Sequence, residues 1–467
     1  MTGKLKAIAL LFVFLAFSTN IFAKNPRPHE KITNELISTG LSSPGAYRLL
    51  EEFLKAAPSR QSGSVGAQKA VDWAKAKMEE LGLSNVRLEA AMVTHWEKGS
   101  VNRLNIVSPA IGDARLDIIA TGGSIGTPPD GITAEVVEVR SKEELEELGD
   151  KLKGKIVFFN RPMDRGMFNT LDAYDDASWQ RFRGPSLAAK HGAVASISRS
   201  LTPLTNDIPY SGMLRYADGV AQIPAAAVST KDADRLSGLI KKGPVQLKLR
   251  LNCRVFPKAM SSNVIGEIVG SKYPGQIVLI GAHLDAWDNT IGANDDGAGV
   301  AHTLEAMRLI RELGLRPKRT IRAVLFMDEE NGGLGGNAYA EAERKGERHI
   351  AAIESDLGGA EPVGFSVEGK KGDYKKLKKW AYLFEPMNAA KFSDGDSGVD
   401  IWRLAKKGAM TIGLQLNTQR YFNVHHSPLD TIETIDEREL ELGAIAMATL
   451  AYVLAEDFGG QAMVNQY

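Results

Sequence analysis

The sequence predicts an α/β fold, a sheet flanked by helices on both faces, with a mainly β segment inserted into it. Three observations carry this. In the second half, short apolar runs such as "QIVLIGAHLD" and "IRAVLFM" alternate with helical stretches such as "GVAHTLEAMRLIRELG", as in a sheet covered on both sides. Each run stops just before a histidine or an acid, where α/β sheets place functional groups. Between residues 115 and 255 the texture changes to shorter strand-like runs with no cluster of histidine and acids.

The elements follow in chain order. Lys4 and Lys6, the apolar "AIALLFVFLAF" and a small residue at Ala23 read as a secretory signal peptide over residues 1–23. The run is shorter than the roughly 20 residues of a spanning helix, so the mature chain from about Lys24 is expected to be exported, periplasmic or secreted, with no membrane anchor. Residues 64–82 carry Val65, Ala70, Trp73, Ala74, Met78 and Leu81 near helical spacing, closed by Gly82. Strands at "SNVRLEAAMVTHW" and "VNRLNIVSP" are expected to complete a first half-sheet by about residue 110, within a first domain part of 24–114.

The insert, 115–255, contains the strands "AEVVEVRS", "GKIVFFNRP", "AVASISRS" and "IPAAAVS", joined by helical "SLAAKHGA" and "KDADRLSGLIKKG". Cys253 closes an alternating run and is the only cysteine, so no intrachain disulfide exists; a buried structural thiol is expected. The second domain part, 256–467, adds strands near "IAAIESD", "GFSVEG" and "MTIGLQL", and the lysines of "KKGDYKKLKKW" read as a solvated helix face. With 57 basic and 57 acidic residues in 467, no electrostatic ground exists for a nucleic-acid partner or an anionic membrane.

The special charge is local. "GAHLDAWDNTIGANDDGAG" places His283, Asp285, Asp295 and Asp296 within nineteen residues, and downstream follow Glu329 and Glu330 in "LFMDEENGG", Asp356 in "IESDLGG", and His425 and His426 in "HHSPLDT". Carboxylates gathered this way are costly unless paired, hydrogen-bonded or bound to metal. Histidine nitrogen with carboxylate oxygen and no thiolate suits zinc or a similar divalent ion. Two histidines and three or four acids exceed the needs of one catalytic zinc, which points to two metals.

These motifs, in this order, resemble the co-catalytic zinc exopeptidases, a family of bacterial aminopeptidases and carboxypeptidases. "GAHLDAWD", "DDGAG", "LGLRPKRT", "EENGG", "ESDLGG" and "HHSPLDT" are most similar to its carboxypeptidase Q-like members. The resemblance covers the chain from about residue 35 and is strongest from Asn263 onward. It implies a mixed zinc-exopeptidase sheet, and the order of motifs in the insert is similar to a protease-associated domain. It further implies His283 and Asp356 as ligands of one metal, Glu330 and His426 as ligands of the other, Asp295 as the bridge, and Glu329 as general acid/base. The family register starts at His426, which leaves His425 for packing or indirect support. Asp285 is expected to accept the other imidazole N–H of His283. Tyr421 is a candidate oxyanion contact, with a packing aromatic as the alternative, while Asp328 is expected outside the site and His302 at the surface or in the core.

The implied chemistry is metal-assisted hydrolysis of short peptides by two zinc ions per chain. Dipeptidase or carboxypeptidase action and aminopeptidase action share every ligand, so the motifs leave both open. A non-catalytic relative would be expected to lack ligands, and none is missing. In the amidohydrolase-like zinc peptidases the insert would follow the Glu-Glu segment, whereas here it precedes His283. The resemblance also implies homodimers, for which no sequence feature speaks.

Overall fold

The computed structural model describes residues 27–108, 112–369 and 372–457, so the signal-peptide segment lies outside the described residues. One eight-stranded mixed sheet runs in the order Ser84–Val93, Ala259–Ile268, Arg319–Phe326, Tyr273–His283, Arg348–Glu354, Met410–Leu416, Pro362–Glu368, Lys391–Asp394. Its centre is parallel and its flanks partly antiparallel. Strand alternation decides which residues face which layer. Val278, Ile280 and Ala282 join the large core under helices Ala298–Glu312 and Glu437–Asp457, while Leu279, Val324 and Phe326 join a second core with Tyr339 and Leu404. Helices therefore cover both faces, as the alternating pattern implied.

The central parallel strands set the site by register. His283 lies opposite Phe326, and Gly281 opposite Glu354, so the residues after each strand emerge at the same edge. Glu329, Glu330 and Asp356 follow within a few residues of those ends. A crevice outside the carboxyl ends of parallel strands is where an α/β sheet binds its ligands.

Helix Val65–Glu80 matches the expected span, with the Ser64 side chain accepting the Ala67 N–H and Gly82 just past its end at φ 68°. Its buried stripe is Ala67, Ala70, Val71, Ala74 and Met78. Val65 lies off that stripe and is 78% exposed. Two earlier helices, Glu30–Ser42 and Ala46–Ala56, join the same layer through Leu36, Leu49, Leu50 and Phe53. Among the described residues, no helix is long and apolar enough to cross a membrane.

A second eight-stranded sheet takes all its strands from residues 102 to 251, with Ile132–Val139, Ile156–Phe159, Ala195–Arg199 and Ala225–Val228 running parallel at its centre. Strand Asn102–Ser108 belongs here and not to the first half-sheet. Leu104 and Ile106 lie opposite Leu249 and Leu247, and all four are fully buried in this sheet's core. Alternation of two apolar residues fits either sheet, and pairing with the returning strand Gln246–Leu251 settles which. Cys253 is buried in the same core, where burial pushes its thiol up to about 11. A thiol so protonated is a poor nucleophile at neutral pH.

Candidate metal centre

His283 ends the central strand with no exposed side-chain surface. Its Nε2 is buried without a hydrogen bond, yet carboxylate oxygens surround it: Asp295 Oδ1 at 3.3 Å, Asp356 Oδ1 at 3.5 Å and Glu329 Oε2 at 3.9 Å. On the far side of Asp295, its Oδ2 lies 3.1 Å from His426 Nε2 and 3.4 Å from His425 Nε2, and Glu330 Oε2 lies 3.0 Å from His426 Nε2. Asp295 therefore offers one oxygen to each of two groups. His283, Asp295 and Asp356 form one set of donors able to hold a metal ion, and Asp295, His425 and His426 another.

The donor set fits divalent metal. Buried imidazole nitrogens and carboxylate oxygens converge without thiolate, and both His283 Nε2 and Glu330 Oε1 lack any hydrogen-bond partner, an arrangement that costs free energy unless a cation satisfies it.

The electrostatics tell the same story. Burial would lower the His426 pKa, but Glu330 and Asp295 override it and push it up to about 10. His283 is likewise held well above its ordinary value against burial, by Asp285, Asp295 and Asp356. Asp295 goes the other way: burial opposes ionisation, yet His283 and His426 hold its carboxyl well below the usual range. Burial, and then Asp356 and Glu330 against the pull of His283, keep the Glu329 carboxyl well above it. A carboxyl with a raised proton affinity at the mouth of such a cluster is what general acid–base chemistry requires.

Asp285 acts differently from expectation. The Nδ1 of His283 lies 3.0 Å from the backbone oxygen of Asp285, and the carboxylate Oδ1 is 3.6 Å away, beyond hydrogen-bond reach. That Oδ1 instead accepts the backbone N–H groups of Asp328, at 2.8 Å, and Glu329, at 3.1 Å. Two amide donors hold the carboxylate, so the imidazole is oriented by main chain while Asp285 fixes the turn that presents Glu329 and Glu330.

The remaining candidates are placed as follows. Asp328 stays outside both donor sets and takes a hydrogen bond from Thr94. His302 is a core histidine with Nδ1 2.8 Å from Ser355 Oγ. Tyr421 lines the cavity of about 350 Å³ above the cluster and also packs on His425, ring centroids 4.9 Å apart. His425 is closer to the chemistry than a packing role suggests. It stacks on His426 at 3.6 Å and reaches the same oxygen of Asp295. Burial and then repulsion from His426 hold its pKa well below the ordinary value.

The motif reading used Asp430 only to set the register from His426 and did not use Arg60, and the structure makes both supports of the centre. Asp430 accepts N–H groups from Asn294 backbone at 2.7 Å, Asn294 side chain at 2.9 Å and Asp295 backbone at 3.1 Å. Arg60, fully buried, donates to the carbonyls of Leu284, at 2.8 Å, and Gly292, at 2.7 Å, bracketing the loop between His283 and Asp295. Asp430 stood in the quoted "HHSPLDT", and its place four residues after His426 was the available signal; Arg60 had none. Asp430→Ala strands two buried backbone amides and frees the bridging residue. Metal affinity is expected to fall about 10–100-fold, as when ligand-orienting groups are lost. Metal titration followed by calorimetry measures this, and unchanged affinity would show Asp295 positioned without it.

Residues 263–452 match the pattern of peptidase family M28. The chain is 35% identical to carboxypeptidase Q of Bos taurus over 88% of its own length and 85% of the relative's. Its fold superposes on a peptidase M28 precursor from Shewanella amazonensis with a TM-score of 0.87 at 34% identity, covering 92% of this chain and 97% of that one. A zinc aminopeptidase from Bacillus subtilis shares the fold, TM-score 0.65 at 21% identity, over 88% of this chain and 95% of the other.

Proposed function

This chain belongs to peptidase family M28 and is a metallo-exopeptidase; from that premise we propose that it is an exported enzyme that uses two zinc ions to hydrolyse dipeptides and short peptides. The observation that carries the proposal is Asp295, whose two oxygens face His283 at 3.3 Å and His426 at 3.1 Å. A carboxylate whose two oxygens face separate imidazoles is placed to be shared between two cation sites. His283 and Asp356 would hold one ion, Glu330 and His426 the other, and His425 is the further donor available to the second.

When bound, the ions supply Lewis acidity toward the scissile carbonyl and the attacking water. The protein supplies the rest. Glu329, with 14% of its side chain exposed, opens onto the cavity. Its carboxylate takes the proton from the attacking water and returns it to the leaving amine. The Tyr421 phenol is held protonated by burial and by Asp295 and Asp356, so its O–H is available to the developing oxyanion. We assign the second sheet to an inserted protease-associated-like unit that roofs this cavity. Ser211 N–H donates to the His426 carbonyl at 2.9 Å, and Tyr210 O–H to the Asn423 carbonyl at 2.6 Å, which pins the histidine loop.

The test is hydrolysis of free, N-acetylated and C-amidated dipeptides before and after exhaustive chelation. Free dipeptides should be cleaved, chelation should abolish turnover, and zinc should restore it. Activity that survives complete metal removal, or cleavage of internal bonds in doubly blocked peptides, would overturn the proposal. Equal turnover of free and amidated dipeptides would favour aminopeptidase action instead.

A further inference from the structure

Arg181, near the end of helix Thr170–Phe182, is the one guanidinium lining the cavity above the metal centre among the described residues. It is only 7% exposed. It donates to the Ser211 carbonyl at 3.0 Å and to the Tyr174 hydroxyl, while its Nε is buried with no hydrogen-bond partner. A guanidinium has five N–H donors, so most of the fork is free. The helix carries Asp172, Asp175 and Asp176; Asp176 is engaged by Arg161, Asp175 lines the same cavity, and none of the described carboxylates forms an ion pair with Arg181.

The group also sits against the histidines. A Cβ at Gly212 would fall 2.4 Å from Arg181 Cζ and 2.7 Å from His426 Nδ1, and Gly212 has φ 127°. Only a residue without a side chain lets the guanidinium and the imidazole approach there. A buried cation with no counter-ion is costly, and one beside a centre built for two dications is more so. The carboxylates that line the cavity, Asp175, Asp295, Glu329, Glu330 and Asp356, are not paired with Arg181, and a substrate carboxylate is what can pair with it.

We propose that Arg181 is a specificity residue that binds the C-terminal carboxylate of the substrate, so that the enzyme selects peptides with a single residue after the scissile bond. This rests on the exopeptidase reading above and adds the direction of cleavage. In a dipeptide the carboxylate carbon lies two bonds beyond the leaving nitrogen, within the short span between the metal centre and Arg181. A longer substrate carries an uncharged amide there. Arginine suits the task because its planar fork matches a carboxylate bidentately.

The experiment compares wild type, Arg181→Lys and Arg181→Gln, each loaded with zinc and checked for equal metal content. Three probes are used: a dipeptide, its C-terminal amide, and a non-hydrolysable reduced-bond dipeptide with either terminus. Arg181→Gln should lose roughly 10²-fold in kcat/KM on the free dipeptide, mainly through KM, with about threefold or less change on the amide. Arg181→Lys should fall between. The reduced-bond dipeptide should bind wild type more tightly than its amide by a similar factor, and Arg181→Gln should erase that preference.

Equal loss on acid and amide would overturn the assignment, because Arg181 would then act on a group both substrates share. So would a wild-type enzyme indifferent to the carboxylate in both turnover and binding. If no peptide is cleaved but the reduced-bond acid still binds through Arg181, the exopeptidase reading fails and the carboxylate site stands.

Discussion

Asp295→Ala is expected to leave the protein folded, nearly free of bound metal, and slower by at least about 10³-fold. General acid–base catalysis alone is worth roughly 10²–10⁴-fold, and here the same change removes the centre around which Glu329 works. The physical reason is the sharing of one carboxylate. Its Oδ1 faces His283 and its Oδ2 faces both His426 and His425, so no other single ligand touches both donor sets. Removing it also leaves Glu329, Glu330 and Asp356 around a deficit of ligand charge, which weakens each site separately. Asp356→Ala, by contrast, touches only the His283 set and should spare one ion. Elemental analysis at saturating zinc, alongside turnover, distinguishes the two variants. Two ions retained in Asp295→Ala would mean that the sites do not share this residue.

Why the site was so legible, and its surroundings less so, follows from where the information sits. His283 ends a short apolar strand, and Glu329, Glu330 and Asp356 follow the ends of two others within a few residues. The central strands are parallel and aligned in register, so residues adjacent to strand ends in sequence are neighbours in space. Local pattern suffices for such groups. It does not suffice for Asp285, because the choice between its carboxylate and its carbonyl as the imidazole's acceptor depends on the Asp328 and Glu329 amides, far away in sequence. Strand Asn102–Ser108 failed for a related reason: its alternation is satisfied by either sheet until the strand Gln246–Leu251 is known to pair with it. His425 and His426 are neighbours on a loop where His426 has φ 62°. That turn folds the two rings onto one another, a convergence no helical or strand periodicity encodes. Arg181 is the extreme case, an ordinary helical arginine in sequence that the fold brings beside the histidine loop, with Gly212 against both Arg181 and His426.

Glu329→Gln and Glu330→Gln, adjacent and chemically identical changes, are expected to fail in different ways. Glu330 Oε2 lies 3.0 Å from His426 Nε2, a member of the second donor set, and its carboxyl is pushed up to about 7, by burial and then by Asp295. Such a carboxylate belongs with a cation, and replacing it by a neutral amide should weaken one metal and recover partly with excess zinc. Glu329 stands 3.9 Å from His283, belongs to neither donor set and opens onto the cavity, where its carboxylate can exchange a proton with a water at the centre. Glutamine there keeps the volume and the hydrogen-bonding outline but cannot accept the water proton at neutral pH. Both ions should remain, KM should change little, and kcat should fall by roughly 10²–10⁴-fold if the chemical step limits turnover. Metal content and kcat measured together on the two variants decide the assignment. If Glu329→Gln loses an ion while Glu330→Gln stays loaded and inactive, the proton carrier is Glu330 and the ligand Glu329.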